Sequence, residues 1–93
     1  MVVRVPVMAE VYVYPGERPD MVRQRVEETL AAYFAFDRQA FGQAIYPSDL
    51  IAVLDVVPGV SHVTLLQPTG DLRLGPQEIA TLGETTLLMR EVR

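Results

Sequence analysis

The sequence contains no cysteine, no tryptophan, no lysine and no asparagine, and only one histidine, His62. Without cysteine there is neither a disulfide framework nor a thiolate set for structural zinc, and a chain of 93 residues must be held by packing or be completed by a neighbour. The same absence fits a reducing compartment. Basic charge is also scarce: 8 basic side chains face 12 acidic ones, giving net charge −4 and a pI near 4.8. The field that draws phosphate backbones is missing, so nucleic acid is not an expected partner. All the basic residues are arginine, which suits bidentate ion pairs at protein interfaces. No apolar run approaches the roughly 18 residues of a membrane span. The first residues alternate where a secretory segment would be uniformly apolar, so a soluble chain made in the cytoplasm is expected.

What is present is enough apolar surface to fold. The chain is 49% hydrophobic and 22% charged, which excludes an intrinsically disordered composition and fits one domain over 1–93. Val3, Val5, Val7, Ala9, Val11 and Val13 occupy alternate positions, the period of a strand with one buried face. Pro6 cannot donate to a ladder, so residues 1–6 are read as an edge or linker segment and 7–14 as the firm strand. Tyr14, Pro15, Gly16 and Glu17 suit a type II turn.

Pro19 and Asp20 then open a helix of about 16 residues, with Val22, Val26, Leu30, Tyr33 and Phe34 on one stripe. An aromatic-rich loop over 34–41 and a short strand over 44–46 follow. A second helix starts at Pro47, with Ser48 as its expected cap, and reads as apolar nearly all round through Val57, as if buried on more than one side. Pro58 and Gly59 end it. Strands are expected over 60–67 and 85–92, joined by a long ordered loop over 68–84. The order strand, helix, short strand, helix, strand, strand gives an α+β two-layer sandwich: a small mixed sheet with both helices on one face. The other face would carry Arg4, Met8, Glu10, Tyr12, His62, Thr64 and Leu66, with some of Thr86, Leu88 and Arg90, and would be half apolar.

Chemistry is hard to place on this chain. With no cysteine or lysine, nucleophilic catalysis would need a serine or threonine beside His62, and strand alternation points Ser61 to the opposite face. A lone histidine with scattered carboxylates lacks the clustered ligands that transition metals require. Glu27 with Glu28, and Asp49 with Asp55, diverge on their helices and read as solvated charge. Gly70, Gly75 and Gly83 have neither the spacing nor the following helix of a phosphate cradle. Tyr33, Phe34, Phe36 and Phe41 read as core or interface, not as a base-stacking platform. No catalytic, metal-binding or cofactor-binding residue is expected, and no cofactor.

The segment GQAIYPSDLIAVLDVVPGVSHVTLLQP, followed by Leu-Gly-Pro-Gln-Glu and a Leu-Gly before the last strand, resembles the C-terminal region of the baseplate J-like proteins of contractile phage tails and related injection machines. The resemblance rests on Val11, Val13, Gly42, Ser48, Leu50, Ile51, Pro58, Gly59, Val60, Val63, Glu78, Leu82 and Gly83, and covers roughly 7–92. Family members are usually several times longer, with preceding domains that mediate much of the assembly, so the chain looks like an excised C-terminal domain or a reduced relative. The resemblance implies a structural, non-catalytic module of a phage, prophage or dedicated contractile injection system. It would act in virion assembly through contacts with other baseplate or tail subunits and with copies of itself, in a baseplate put together in the bacterial cytoplasm.

The residues expected to make such contacts are Tyr12 and Tyr14 on the outer side of the first strand and Leu72, Leu74 and Ile79 in the long loop. The competing arrangement for each is packing within the chain. The alternative function is a small-molecule-binding regulatory domain of ferredoxin-like type. Against it stands the absence of a compact polar cluster beside an apolar pocket, so no small-molecule substrate is expected.

Overall fold

The computed structural model describes residues 1–35 and 42–92. Phe36 and Phe41 lie outside the described residues. The elements are β1 (Val2–Val13), α1 (Pro19–Tyr33), α2 (Pro47–Asp55), β2 (Val60–Gln67) and β3 (Ile79–Glu91). The strands form one mixed sheet in the order β2-β1-β3, with β1 antiparallel to β2 and parallel to β3. Helix α1 lies over β3 and α2 over β2, both on one face of the sheet. The α+β two-layer arrangement expected from the sequence is therefore the observed one.

The alternating valines explain why β1 is central. Val5, Val7, Ala9, Val11 and Val13 are all buried and meet Val63 of β2, Leu87 of β3, Val22, Val26 and Leu30 of α1, and Leu50 and Leu54 of α2. Each fully buried aliphatic side chain contributes on the order of 1.5–3 kcal/mol relative to exposure, and the strand with partners on both sides holds more of them than any other element. The strand begins at Val2, ahead of the firm stretch read from the sequence. From Val2 to Val7 it pairs with β3 only, so this part is an edge on the β2 side.

Strand β3 starts at Ile79, well before the expected start at 85, and the loop after β2 spans 68–78 instead of 68–84. Gly83 had the look of a loop residue, but it marks a close approach of two backbones. A Cβ there would lie 3.1 Å from the Val5 carbonyl carbon and oxygen and 3.3 Å from the Pro6 nitrogen. The β1/β3 register shifts at this point, between Val5 and Val7. The bulge accommodates Pro6, which has no amide hydrogen to give the ladder.

The expected short strand over 44–46 is a single antiparallel bridge between Ile45 and Leu72, with both backbone hydrogen bonds at 2.7 Å. It orders the 68–78 loop, as does Glu78, whose carboxylate accepts from the Gly75 amide at 2.6 Å.

Both helices begin on proline at the first turn, with an acidic residue behind it, Asp20 in α1 and Asp49 in α2. Ser48 does not cap α2. The N-cap is Tyr46, without a side-chain hydrogen bond, and the proline at position 47 moves Ser48 inside the helix. Helix α2 also stops at Asp55, short of Val57, and buries one side only: Leu50 and Leu54 are buried while Val56 is 79% exposed. Its apolar residues outnumber the positions that face the sheet. The Tyr14–Glu17 turn forms as expected, with the Glu17 amide donating to the Tyr14 carbonyl at 3.2 Å and Gly16 at φ +90°.

Candidate docking surface

With both helices on one side, the opposite face of the sheet has no layer over it among the described residues. Register puts His62, Tyr12 and Arg90 in one row across the three strands, and Thr64, Glu10 and Leu88 in the next. Met8 pairs with Thr86 on one side and Gln67 on the other. Strand alternation is the cause: the odd-numbered residues of β1 point at the helices, so its even-numbered ones must point away.

The face is organised by contacts between its own side chains. Tyr12 and His62 stack with ring centroids 4.2 Å apart and planes 13° from parallel. The Tyr12 hydroxyl donates to Glu10 Oε2 at 3.4 Å, and Arg90 Nε donates to the same oxygen at 3.3 Å. The Arg90–Glu10 pair is partly exposed, and an ion pair so placed is worth about 0–1 kcal/mol. The network fixes the orientation of the rings more than it adds stability. Around it lie Met8 and Leu66, half-buried, and Leu88, 37% exposed. The result is a mixed face in which Tyr12, Met8, Leu66 and Leu88 alternate with polar residues around the Glu10–Arg90 pair, a composition compatible with a protein contact surface.

Ser61 does not point away from His62 as strand alternation required. The β1/β2 register shifts between Tyr12 and Val13, where Val13 pairs with Val60 and Tyr12 with His62, so Ser61 is the extra residue of a bulge. Its Oγ lies 3.2 Å from His62 Nδ1. Tyr12 covers one face of the ring, and no carboxylate contacts the imidazole among the described residues. No group of three or more potential metal ligands converges among the described residues.

The five residues singled out from the sequence fall in different places. Tyr12 is half-buried in the stack and Tyr14 is 50% exposed at the end of β1. Leu72 and Leu74 are partly buried and pack against the core. Ile79 is not a loop residue: it opens β3 and is only 4% exposed. The structure therefore brings Tyr12 to the open face, leaves Tyr14 exposed just after the strand end and turns the loop leucines inward. One apolar area was missed by the sequence reading. Val53 of α2, with Val56, Val57 and Pro58 just after it, lines a shallow groove against Arg25, Thr29 and Ala32 of α1. The early end of α2 exposes it, and the uniform apolar pattern of the helix gave no sign of which side would be left out.

Burial raises the Tyr33 phenol above its ordinary pKa, and the charge of Asp49 adds to the effect. The Tyr33 ring packs edge to face on Phe34, with centroids 5.1 Å apart. Both belong to the end of α1, on the helix side of the sheet and remote from the open face.

No helix among the described residues is long and apolar enough to cross a membrane. A search of curated proteins gave no match. Residues 5–88 match a protein family described as the baseplate J-like protein C-terminal domain.

Proposed function

The chain belongs to the baseplate J-like protein C-terminal domain family, a family of structural and generally non-catalytic baseplate domains, and from that premise we propose that it is a non-catalytic assembly module of a contractile phage tail or phage-like injection machine. It works by presenting the open sheet face to neighbouring baseplate or tail subunits, in a structure put together in the bacterial cytoplasm. The observation that carries this reading is the uncovered face itself. The backbone that carries Tyr12, Met8, Leu66 and Leu88 is fixed by a hydrogen-bonded sheet, and the Tyr12 ring by its stack on His62, which lowers the cost of ordering on contact. Tyr14 extends the surface beyond the strand end.

The 68–78 loop has a supporting part in this reading. Leu72 and Leu74 are partly used by the core, and Ile79 almost wholly, so they shape the loop that borders the surface. A metabolite-binding role has less to rest on, because no polar or charged side chain among the described residues is buried. A selective small ligand needs recessed polar groups to fix its orientation.

Reconstitution tests the proposal. The chain is mixed with the other baseplate subunits of the machine that encodes it, and assembled particles are separated by sedimentation. A variant carrying Tyr12→Ser and Leu88→Ser should remain folded by circular dichroism and be lost from the particle fraction. Incorporation of that variant at the wild-type level would overturn the sheet face as the docking surface.

A further inference from the structure

The two outer edges of the sheet are built differently. The edge of β2 is 8 residues long, carries both β1/β2 register irregularities and runs straight into Pro68. Short length, bulges and proline are the usual protections against edge-to-edge pairing. The edge of β3 is 13 residues long, has no proline, and is in unbroken register with β1 from Thr85 to Glu91. Its outward backbone groups have no strand partner among the described residues. The regular stretch of this edge, beyond the bulge at Gly83, is a template for another strand.

The charges on β3 choose the strand. Thr85 faces α1 and Leu87 is buried, so Thr86, Leu88 and Arg90 face the other way, and Glu84, at the bulge that precedes this stretch, is exposed. If two copies of β3 run antiparallel about Leu87, Thr86 of each stands opposite Leu88 of the other, and Glu84 of each stands opposite Arg90 of the other. Two opposite-charge pairs form at once, related by the two-fold axis. Parallel pairing in register would instead place Glu84 on Glu84 and Arg90 on Arg90, which is destabilising. Glu84 has no ion-pair partner among the described residues. Arg90 uses Nε for Glu10, and its guanidinium has further donors for a second carboxylate. Thr86 and Leu88, the latter 37% exposed, gain a cover.

We infer that the β3 edge is a self-association site at which two copies of this chain pair antiparallel about Leu87, with Glu84 of each copy opposite Arg90 of the other. The contact joins two sheets into one and makes the two open faces continuous. It is independent of the docking role proposed for the face: a monomeric chain could still bind other subunits, and a dimer could form without them.

Sedimentation equilibrium of the isolated chain over a range of concentrations tests it. The wild type should show a concentration-dependent dimer. Glu84→Arg alone should weaken dimerisation about tenfold by placing like charges at both pairs, and Glu84→Arg combined with Arg90→Glu should restore it. Because the chain has no cysteine, thiol cross-linking gives a second measurement free of background. Thr86→Cys mixed with Leu88→Cys should form a disulfide-linked dimer on oxidation, whereas each alone should form far less, the identical positions being offset along the strands beyond easy bridging distance. A wild type that stays monomeric at every concentration, a dimer indifferent to charge reversal and rescue, or no cross-linking in the mixture would each overturn the inference.

Discussion

Tyr12 of β1 and His62 of β2 lie directly opposite in the antiparallel register and stack at a centroid distance of 4.2 Å on the sheet face away from the helices. Cross-strand aromatic pairs contribute roughly 0.2–1 kcal/mol beyond an alanine pair. Tyr12→Ala and His62→Ala should therefore each lower stability by about 1 kcal/mol. The double variant should fall short of their sum by about 0.5 kcal/mol, a coupling read from urea unfolding in a double-mutant cycle. Additive losses would mean that the rings do not interact in solution.

Helix α2 provides a contrast between neighbours of like chemistry. Leu54 is fully buried and Val56, two residues on, is 79% exposed. Leu54→Ala should cost about 2–5 kcal/mol through lost burial and a cavity. Val56→Ser should change stability by less than about 0.5 kcal/mol. Thermal or urea unfolding of the two variants checks how the end of the helix is seated, with Val56 just beyond its last residue, and comparable losses would contradict it.

Two glycines separate strain from crowding. Gly59 has φ +94°, and a Cβ on it would meet Val22 Cγ2 at 2.8 Å. Both the dihedral and the space oppose a side chain there, and Gly59→Ala should cost about 2–4 kcal/mol. Gly83 has no positive φ but faces the Val5 backbone at 3.1 Å, so Gly83→Ala should cost about 1–2 kcal/mol. The order of the two losses in urea unfolding is the test, and it would be reversed if backbone conformation mattered less than the β1/β3 approach.

Tyr33 gives the chain an alkaline limit. Burial, with Asp49 adding to it, raises the phenol above its ordinary pKa of 10.0. The folded state thus holds this proton more tightly than the unfolded one. The resulting stability is fully present below the unfolded value and is lost as pH rises through the folded one. Stability should decline above about pH 10, and Tyr33→Phe should remove part of that decline while keeping the ring against Phe34. Unfolding curves at a series of alkaline pH values measure it, and an unchanged slope in the variant would assign the effect elsewhere.

Much of the fold is legible in the sequence because two periods are clean. The alternating valines of β1 and the Val22, Val26, Leu30 stripe of α1 each specify one buried face, and the structure buries those faces. What was not legible depends on contacts between distant segments. Gly83 reads as a loop residue until the Val5 backbone is placed beside it. Ser61 follows strand alternation until the shift against β1 makes it a bulge and brings its hydroxyl to His62. Ile79 reads as a loop contact until β3 is seen to begin there. The open face was readable as a list of outward residues, since alternation alone generates it. Its organisation about the Tyr12–His62 stack and the shared Glu10 carboxylate required the register of all three strands.

The most direct test of the docking role is a cryo-electron microscopy map of an assembled baseplate containing this chain, at a resolution that identifies its sheet. The sheet face bearing Met8, Tyr12 and Leu88 should lie against a neighbouring subunit, with the helix side turned outward. A map in which that face is open to solvent, while the chain is held by its helices alone, would contradict the account.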